Sequence, residues 1–359
     1  MSHAMTRGSN TSMTGDGPSA ESHEFCRDML AGVSRTFALS IPELPRPVDA
    51  WVGCAYLVCR IIDTLEDRPG TSECERQIMF GRLLEILGPP VDVDGARACA
   101  AMYAAASNDD ACGRLMNRQD EVMRLLATFP PRVIEIIRGC AVAMVEGLRR
   151  TPLPPRGDAP RILFHTVHQL ERYCHYAAGI VGIMLTRLFN HYWGDDAWPI
   201  DRRRVHMGKR FGRGLQITNI IKDHPADLMD GRCFIPRRVA DACGCGAETL
   251  LQPSLPLPVR RLIVRRAAAH LDVALEYCLS LPASPAGIRL FCLQPLMMAL
   301  ATLERVLVHP DPTPDDRPKI TREQVADILA TSRNYVGDDA ALRDWYAALR
   351  RRLDHAMMP

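Results

Sequence analysis

The chain has 359 residues and 40.0 kDa, with 47% hydrophobic and 24% charged residues. That balance excludes a disordered or integral-membrane chain and allows a sizeable core. Lys plus Arg number 44 against 42 acids, a net charge of +2, far from the excess by which nucleic-acid binders neutralise phosphates, so no nucleic-acid partner is expected.

Residues 1–21 are small, polar and rich in Gly, Ser and Thr, and read as a disordered tail or cloning remnant outside the fold. From residue 22 to about 355 a single all-α domain is expected. Apolar residues recur with helical spacing over approximately 48–67, 73–87, 92–106, 113–127, 131–149, 161–190, 200–230, 258–280, 286–308, 321–333 and 339–355. Proline clusters at Thr151–Pro160, Gln252–Pro258, Pro282–Pro285 and His309–Pro318 break these helices and read as connectors. Strand alternation is nearly absent, and no fixed-period repeat suggests a solenoid. The apolar stretch Leu290–Val308 is interrupted by Gln294, Pro295, Glu304 and Arg305, short of the ~20 apolar residues of a membrane span. With no signal peptide or anchor found, a cytoplasmic protein is expected, at most peripheral on a membrane. The 13 cysteines, among them Cys54, Cys59, Cys140 and Cys292, are scattered and read as reduced, buried thiols. Cys243-Gly-Cys245 lacks the paired spacing of structural zinc.

Two acidic rows carry the chemistry. In Tyr56-Leu-Val-Cys-Arg60-Ile-Ile-Asp63-Thr-Leu-Glu66-Asp67, the acids stand at i, i+3 and i+4, so a helix puts three carboxylates on one face, with Arg60 and Tyr56 one and two turns earlier. The second row is Gln216, Asn219, Asp223 and Asp227, spaced +3, +4 and +4, followed by Gly231-Arg232. A solvated face is the usual meaning of a charge run, but the opposite faces here are apolar: Leu57, Val58, Ile61 and Ile62 in one, Ile217, Ile220 and Ile221 in the other. Carboxylates from two helices of a bundle build metal sites. Hard oxygen ligands without histidine favour Mg²⁺, which is held by a few carboxylates and substrate phosphates. The inference is two oxygen rows bridged to a diphosphate by Mg²⁺. Pro225 lies between Asp223 and Asp227, and a kink there is expected to redirect Asp227.

Ser34-Arg35-Thr36-Phe37, the Asp63 to Asp67 segment, Tyr173-Cys-His-Tyr-Ala-Ala-Gly179-Ile-Val-Gly182, and Asn219 to Asp223 with Gly231-Arg232 together resemble the squalene and phytoene synthases. These motifs occur in the family's order over most of residues 25–335. Phe291-Cys-Leu-Gln-Pro295 and the Tyr173 segment running to Phe189 are more similar to the squalene synthase branch. The resemblance implies a single large helical bundle of the isoprenoid synthase type with a central cavity. It implies head-to-head condensation of two farnesyl diphosphates through presqualene diphosphate, then NADPH reduction to squalene. Two alternatives stay open: a synthase that stops at dehydrosqualene, phytoene or presqualene diphosphate without the reductive step, or a non-catalytic assembly protein of the same fold.

On this resemblance the metal ligands are Asp63, Glu66, Asp67, Asn219, Asp223 and Asp227. Diphosphate contacts fall to Ser34, Arg35, Arg60, Lys222 and Arg232, arginine offering a bidentate fork and lysine a point charge. Phe37, Tyr56, Tyr173 and Phe291 are the catalytic candidates, as aromatic walls for a carbocation, Tyr173 also for the proton loss. Cofactor contacts are expected from Arg35, Arg60, Asn219, Lys319 and Arg322. No Gly-x-Gly-x-x-Gly fingerprint occurs; Lys319-Ile-Thr321-Arg322 resembles the family's basic stretch for NADPH, with Thr321 where a basic residue is common. The small residues Ala177, Ala178, Gly179 and Gly182 either leave room for prenyl chains or permit close helix packing. A hydrocarbon product implies transient membrane contact for its release.

Overall fold

The computed structural model describes residues 18–34, 37–66, 71–104, 110–150 and 159–358. The order of elements is α1 (Pro18–Val33), α2 (Phe37–Ser40), α3 (Val48–Glu66), α4 (Glu73–Ile86), α5 (Val93–Ala104), α6 (Ala111–Asn117), α7 (Gln119–Ala127) and α8 (Pro131–Arg149). Next come β1 (Arg161–Ile162), α9 (Val167–Cys174), a π-helical turn (His175–Gly179), α10 (Ile180–Trp193), α11 (Arg202–Met229) and β2 (Arg232–Cys233). The chain ends through α12 (Arg237–Ala242), α13 (Leu257–Ser280), α14 (Gly287–Val308), α15 (Arg322–Tyr335) and α16 (Asp339–Ala356). The all-α expectation holds.

Local chemistry explains most boundaries. Ser72, Thr166 and Thr321 each begin a helix through a reciprocal capping box, with Glu75, Gln169 and Gln324, satisfying donors that a first turn leaves unpaired. Pro131 opens α8, where its missing N–H costs nothing.

Three expectations are corrected. The helix α1 starts at Pro18, inside the stretch read as tail, and Glu21 of that stretch pairs with Arg118 Nη2 at 3.3 Å. Residues 1–17 lie outside the described residues. The segment 113–127 is two helices, because Arg118 leaves helical geometry (φ −126°, ψ 28°) and Asp120 and Glu121 supply the acidic first turn of a new helix. The segment 161–190 opens as a strand: Arg161 and Ile162 pair in parallel with Arg232 and Cys233, and Thr166 then caps α9.

At the centre lies α14, buried along nearly its whole length. It is long and apolar enough to cross a membrane, but 83% of its apolar window is packed inside the protein. Buried Arg289 near its start donates to the carbonyls of Leu279, Leu281 and Val336 and to Asp339, tying together the ends of α13, α15 and α16. All 13 cysteines are free thiols, most of them buried, as the sequence implies.

Candidate active site

The first oxygen row stands on α3. Leu57, Val58, Ile61 and Ile62 are fully buried, which turns Tyr56, Arg60 and Asp63 along the other side. Tyr56 Oη donates to the Val33 carbonyl at 3.1 Å and accepts from Arg60 Nη2 at 3.0 Å. Burial works against the Arg60 charge, but the neighbouring Asp63 carboxylate and Tyr56 phenol outweigh it and raise its pKa above the ordinary value. Glu66 is buried at the helix end. Ser34 is buried too, and its hydroxyl accepts from Phe37 N at 3.0 Å, starting α2. Arg35 and Asp67 lie outside the described residues.

Three of the four aromatic candidates meet. The Phe37 ring lies 5.7 Å from Tyr56 and 6.0 Å from Phe291, centroid to centroid, and Phe189 joins edge-on at 6.1 Å from Phe291. Tyr173 belongs to another group, 5.6 Å from Phe164 and 5.1 Å from Phe234. It is buried immediately before the π-helical turn, a distortion frequent at functional sites.

The second row stands on α11. Ile217, Ile220 and Ile221 are buried, as the sequence pattern requires. The helix runs on through Pro225 to Met229, so Asp223 and Asp227 stand on one continuous helix. Buried His224 is held neutral, its pKa pushed down to about 4 chiefly by burial, and its Nε2 donates to the Gln252 carbonyl at 3.0 Å. Lys222 Nζ donates to Asn219 Oδ1 at 3.0 Å and lies 3.1 Å from Asp223 Oδ2. The other Asp223 oxygen accepts from Arg317 Nη1 at 2.8 Å. Arg317 is the residue that sequence reasoning missed. Its neighbour Lys319 drew attention as one of only three lysines, whereas a contact across 94 residues leaves no local signal.

Arg232 is buried on β2, just beyond the row. Lys319 and Arg322 are exposed where α15 begins. Between them Thr321 holds the N-cap, which accounts for a hydroxyl where the family's pattern has a cation.

Both acid-bearing helices pack on α10 and have no extensive packing on each other. Close contact is concentrated instead between α10 with its π-helical turn and α11. A Cβ on Gly182 would stand 2.0 Å from the Gly208 carbonyl oxygen, and one on Gly212 would stand 2.1 Å from that of Ala178. The small residues of this segment therefore serve helix packing, one of the two roles left open above.

Among the described residues no three His, Cys, Asp or Glu side chains form a ready cation cage. Mg²⁺ does not need one, since it retains waters and takes one or two carboxylates plus phosphate oxygens. The donor set fits it: the candidates are oxygens, and both oxygens of Asp223 already attract cationic side chains. A separate hollow of about 550 Å³ lies between α14 and α16, lined by Glu304, Val308, Arg351 and Arg352 among others. None of the acid-row residues lines it, and the chemistry is assigned to the rows.

The family model for squalene/phytoene synthase matches residues 30–324. The chain is 28% identical over 316 residues to squalene synthase of Schizosaccharomyces pombe, covering 86% of this chain and 65% of that protein. It is 31% identical over 290 residues to squalene synthase 1 of Arabidopsis thaliana, covering 78% and 64%. It thus spans less than two thirds of the length of these curated relatives. Among solved structures, ligand-bound TcSQS superposes with a TM-score of 0.71 at 24% identity, covering 94% of this chain and 96% of that one. A dehydrosqualene synthase superposes at 0.62 with 18% identity, covering 89% and 99%. These superpositions establish the fold.

Proposed function

We propose that this chain, which belongs to the squalene/phytoene synthase family, joins two farnesyl diphosphates head to head through presqualene diphosphate and reduces the product to squalene with NADPH. The observation that carries the reading is the pair of oxygen rows on α3 and α11, each with an apolar back in the core, both packed on α10 rather than on each other.

The costly event is separating an allylic cation from diphosphate. Mg²⁺, held by Asp63, Glu66 and Asp67 on one side and Asn219, Asp223 and Asp227 on the other with diphosphate oxygens, would supply positive charge to the departing group. Arg60 contributes a fixed charge of its own: the Asp63 carboxylate and the Tyr56 hydroxyl hold its guanidinium in place and protonated. Ser34, Arg35, Lys222 and Arg232 are the remaining diphosphate contacts in this reading. Phe37, Tyr56 and Phe291 present aromatic faces that exclude water and stabilise a passing carbocation. Tyr173 takes the cyclopropane-forming proton in this reading, or a released diphosphate oxygen does. NADPH would supply the hydride that quenches the final cation, with Lys319 and Arg322 meeting its phosphates and Arg35, Arg60 and Asn219 completing the cofactor contacts. The protein is expected to meet a membrane transiently as the hydrocarbon leaves.

The test supplies farnesyl diphosphate and Mg²⁺ with and without NADPH and identifies the hydrocarbon. Squalene only with NADPH is expected; a product unchanged by NADPH removes the reductive step. Asp63→Ala and Asp223→Ala should each abolish Mg²⁺-dependent diphosphate release, and release that survives both defeats the mechanism.

A further inference from the structure

The connector between α14 and α15 is organised around one charged contact. Arg260 Nη1 donates to the carbonyls of Val306 and His309 at 3.1 and 2.8 Å, fixing where the connector leaves α14. Thr313 and Asp316 close a turn on each other: Thr313 N donates to the Asp316 carbonyl at 3.1 Å, and Asp316 N to Thr313 Oγ1 at 3.0 Å. Pro312 and Pro318 line a narrow crevice shared with Ile221, His224 and Pro225 of α11. That turn delivers Arg317 to Asp223 at 2.8 Å, with both side chains about three-quarters covered. Four residues beyond Arg317, at Thr321, the chain reaches the N-cap of α15.

The contact leaves the guanidinium underused. Of its five N–H donors, Nε is buried without an acceptor, a cost that a neighbouring phosphate oxygen could relieve. Asp223 meanwhile has a cation on each oxygen, Lys222 on one and Arg317 on the other. A divalent ion approaching Asp223 therefore meets two positive charges already beside its oxygens and is favoured when one of them moves. Lys222 is the adjacent residue on the same helix and stays near in any case, whereas Arg317 arrives from a different element.

We propose that Arg317 is an internal counter-cation that occupies Asp223 in the ligand-free protein and is displaced when a divalent ion and a diphosphate arrive, loosening the 309–321 segment that leads to Lys319 and Arg322. Filling of the metal row is thereby coupled to the mobility of the basic stretch before α15. This rests on the metal role proposed above for Asp223. Arg317 acts here as a positioning residue, through Asp223.

Mn²⁺ binding to the 359-residue chain, read from its electron paramagnetic resonance signal, tests the competition. Arg317→Gln should tighten Mn²⁺ binding about three- to tenfold, because a competing positive charge beside the carboxylate is gone. Arg317→Lys should return most of the wild-type affinity, and Asp223→Asn should weaken binding. In wild type, Mn²⁺ with inorganic pyrophosphate should speed amide hydrogen exchange across 317–321, while in Arg317→Gln exchange should already be fast without them. Unchanged or weaker Mn²⁺ affinity in Arg317→Gln, or exchange at 317–321 that metal and pyrophosphate leave unchanged in wild type, overturns the proposal while leaving the metal row standing if Asp223→Asn still weakens binding. Mn²⁺ affinity indifferent to both Asp223→Asn and Asp63→Asn overturns the metal row and the counter-cation together.

Discussion

Tyr56 bears on two questions at once, because its ring belongs to the aromatic group and its hydroxyl holds Arg60. Tyr56→Phe keeps the ring and removes both hydrogen bonds, to the Val33 carbonyl and from Arg60. A hydrogen bond to a charged group contributes about 1.5–3 kcal/mol when its loss leaves a partner unsatisfied. Tyr56 is only part-buried, so a loss of about 1–2 kcal/mol in urea unfolding is expected. Diphosphate release should fall about tenfold, far less than in Asp63→Ala; an unchanged rate would mean that Arg60 keeps its place without the phenol. Helical spacing alone put Tyr56, Arg60 and Asp63 on one face, and the structure agrees because neighbours at i+3 and i+4 meet in any α-helix. The Arg317–Asp223 pair obeys no such local rule.

At the scale of elements, the spacing of α10 and α11 depends on glycines whose missing side chains make room for backbone. A methyl on Gly182 would overlap the Gly208 carbonyl oxygen, which sits 2.0 Å away and cannot rotate aside as a side-chain tip would. Gly182→Ala is expected to cost about 3 kcal/mol or more by overpacking. Exposed Gly139 in α8 has nothing within 4 Å of an added Cβ, so Gly139→Ala should stabilise by about 0.5–1 kcal/mol through helix propensity. Opposite shifts in thermal midpoint check both, and a neutral Gly182→Ala would show that the two helices can separate freely. Most helices were legible because their apolar period and their start signals agree, as in Pro131–Arg149, opened by proline, and Asp339–Ala356, capped by Asp338. Helix α1 went unread although Phe25, Cys26, Met29, Leu30 and Val33 carry an amphipathic pattern. Proximity to the Gly/Ser-rich tail hid it. The short strand at Arg161 was illegible for a physical reason: two residues cannot express a period, and their partner lies some 70 residues on at Arg232.

Across the whole molecule, fold class was readable from long stretches of helical spacing, while the network that joins α9, α11 and α13 was not, since it depends on side chains from three separate helices. Glu171 accepts from His270 Nε2 at 2.8 Å and lies 3.5 Å from both Arg213 and Arg266. Burial opposes its charge, but these partners outweigh burial and hold its carboxyl below the usual range. Arg210 Nε donates to His270 Nδ1 at 3.1 Å, which leaves the His270 proton on Nε2, facing Glu171. On the π-helical turn nearby, His175 is surrounded differently. Burial first, then Arg213 and Lys209, push its pKa from 6.5 down to about 4, so the folded protein keeps its ring neutral while the unfolded chain protonates it near the ordinary value. Between those two pH values the unfolded state binds more protons, so the stability contributed by neutral His175 is complete above about 6.5 and is lost as pH falls toward about 4. The slope is bounded by about 1.4 kcal/mol per pH unit and is smaller in practice because the ring is only half-buried and partly screened. Glu171 adds acid sensitivity of the same sign, but only below the ordinary carboxylate range. Urea midpoints measured from pH 7.5 to 4.5 should therefore decline in wild type and decline less in His175→Gln, whose side chain takes no proton. A ring signal of His175 titrating near 6.5 in the folded protein, with parallel midpoint curves for the two proteins, would mean that neither burial nor the cations of α11 act on the imidazole as this geometry requires.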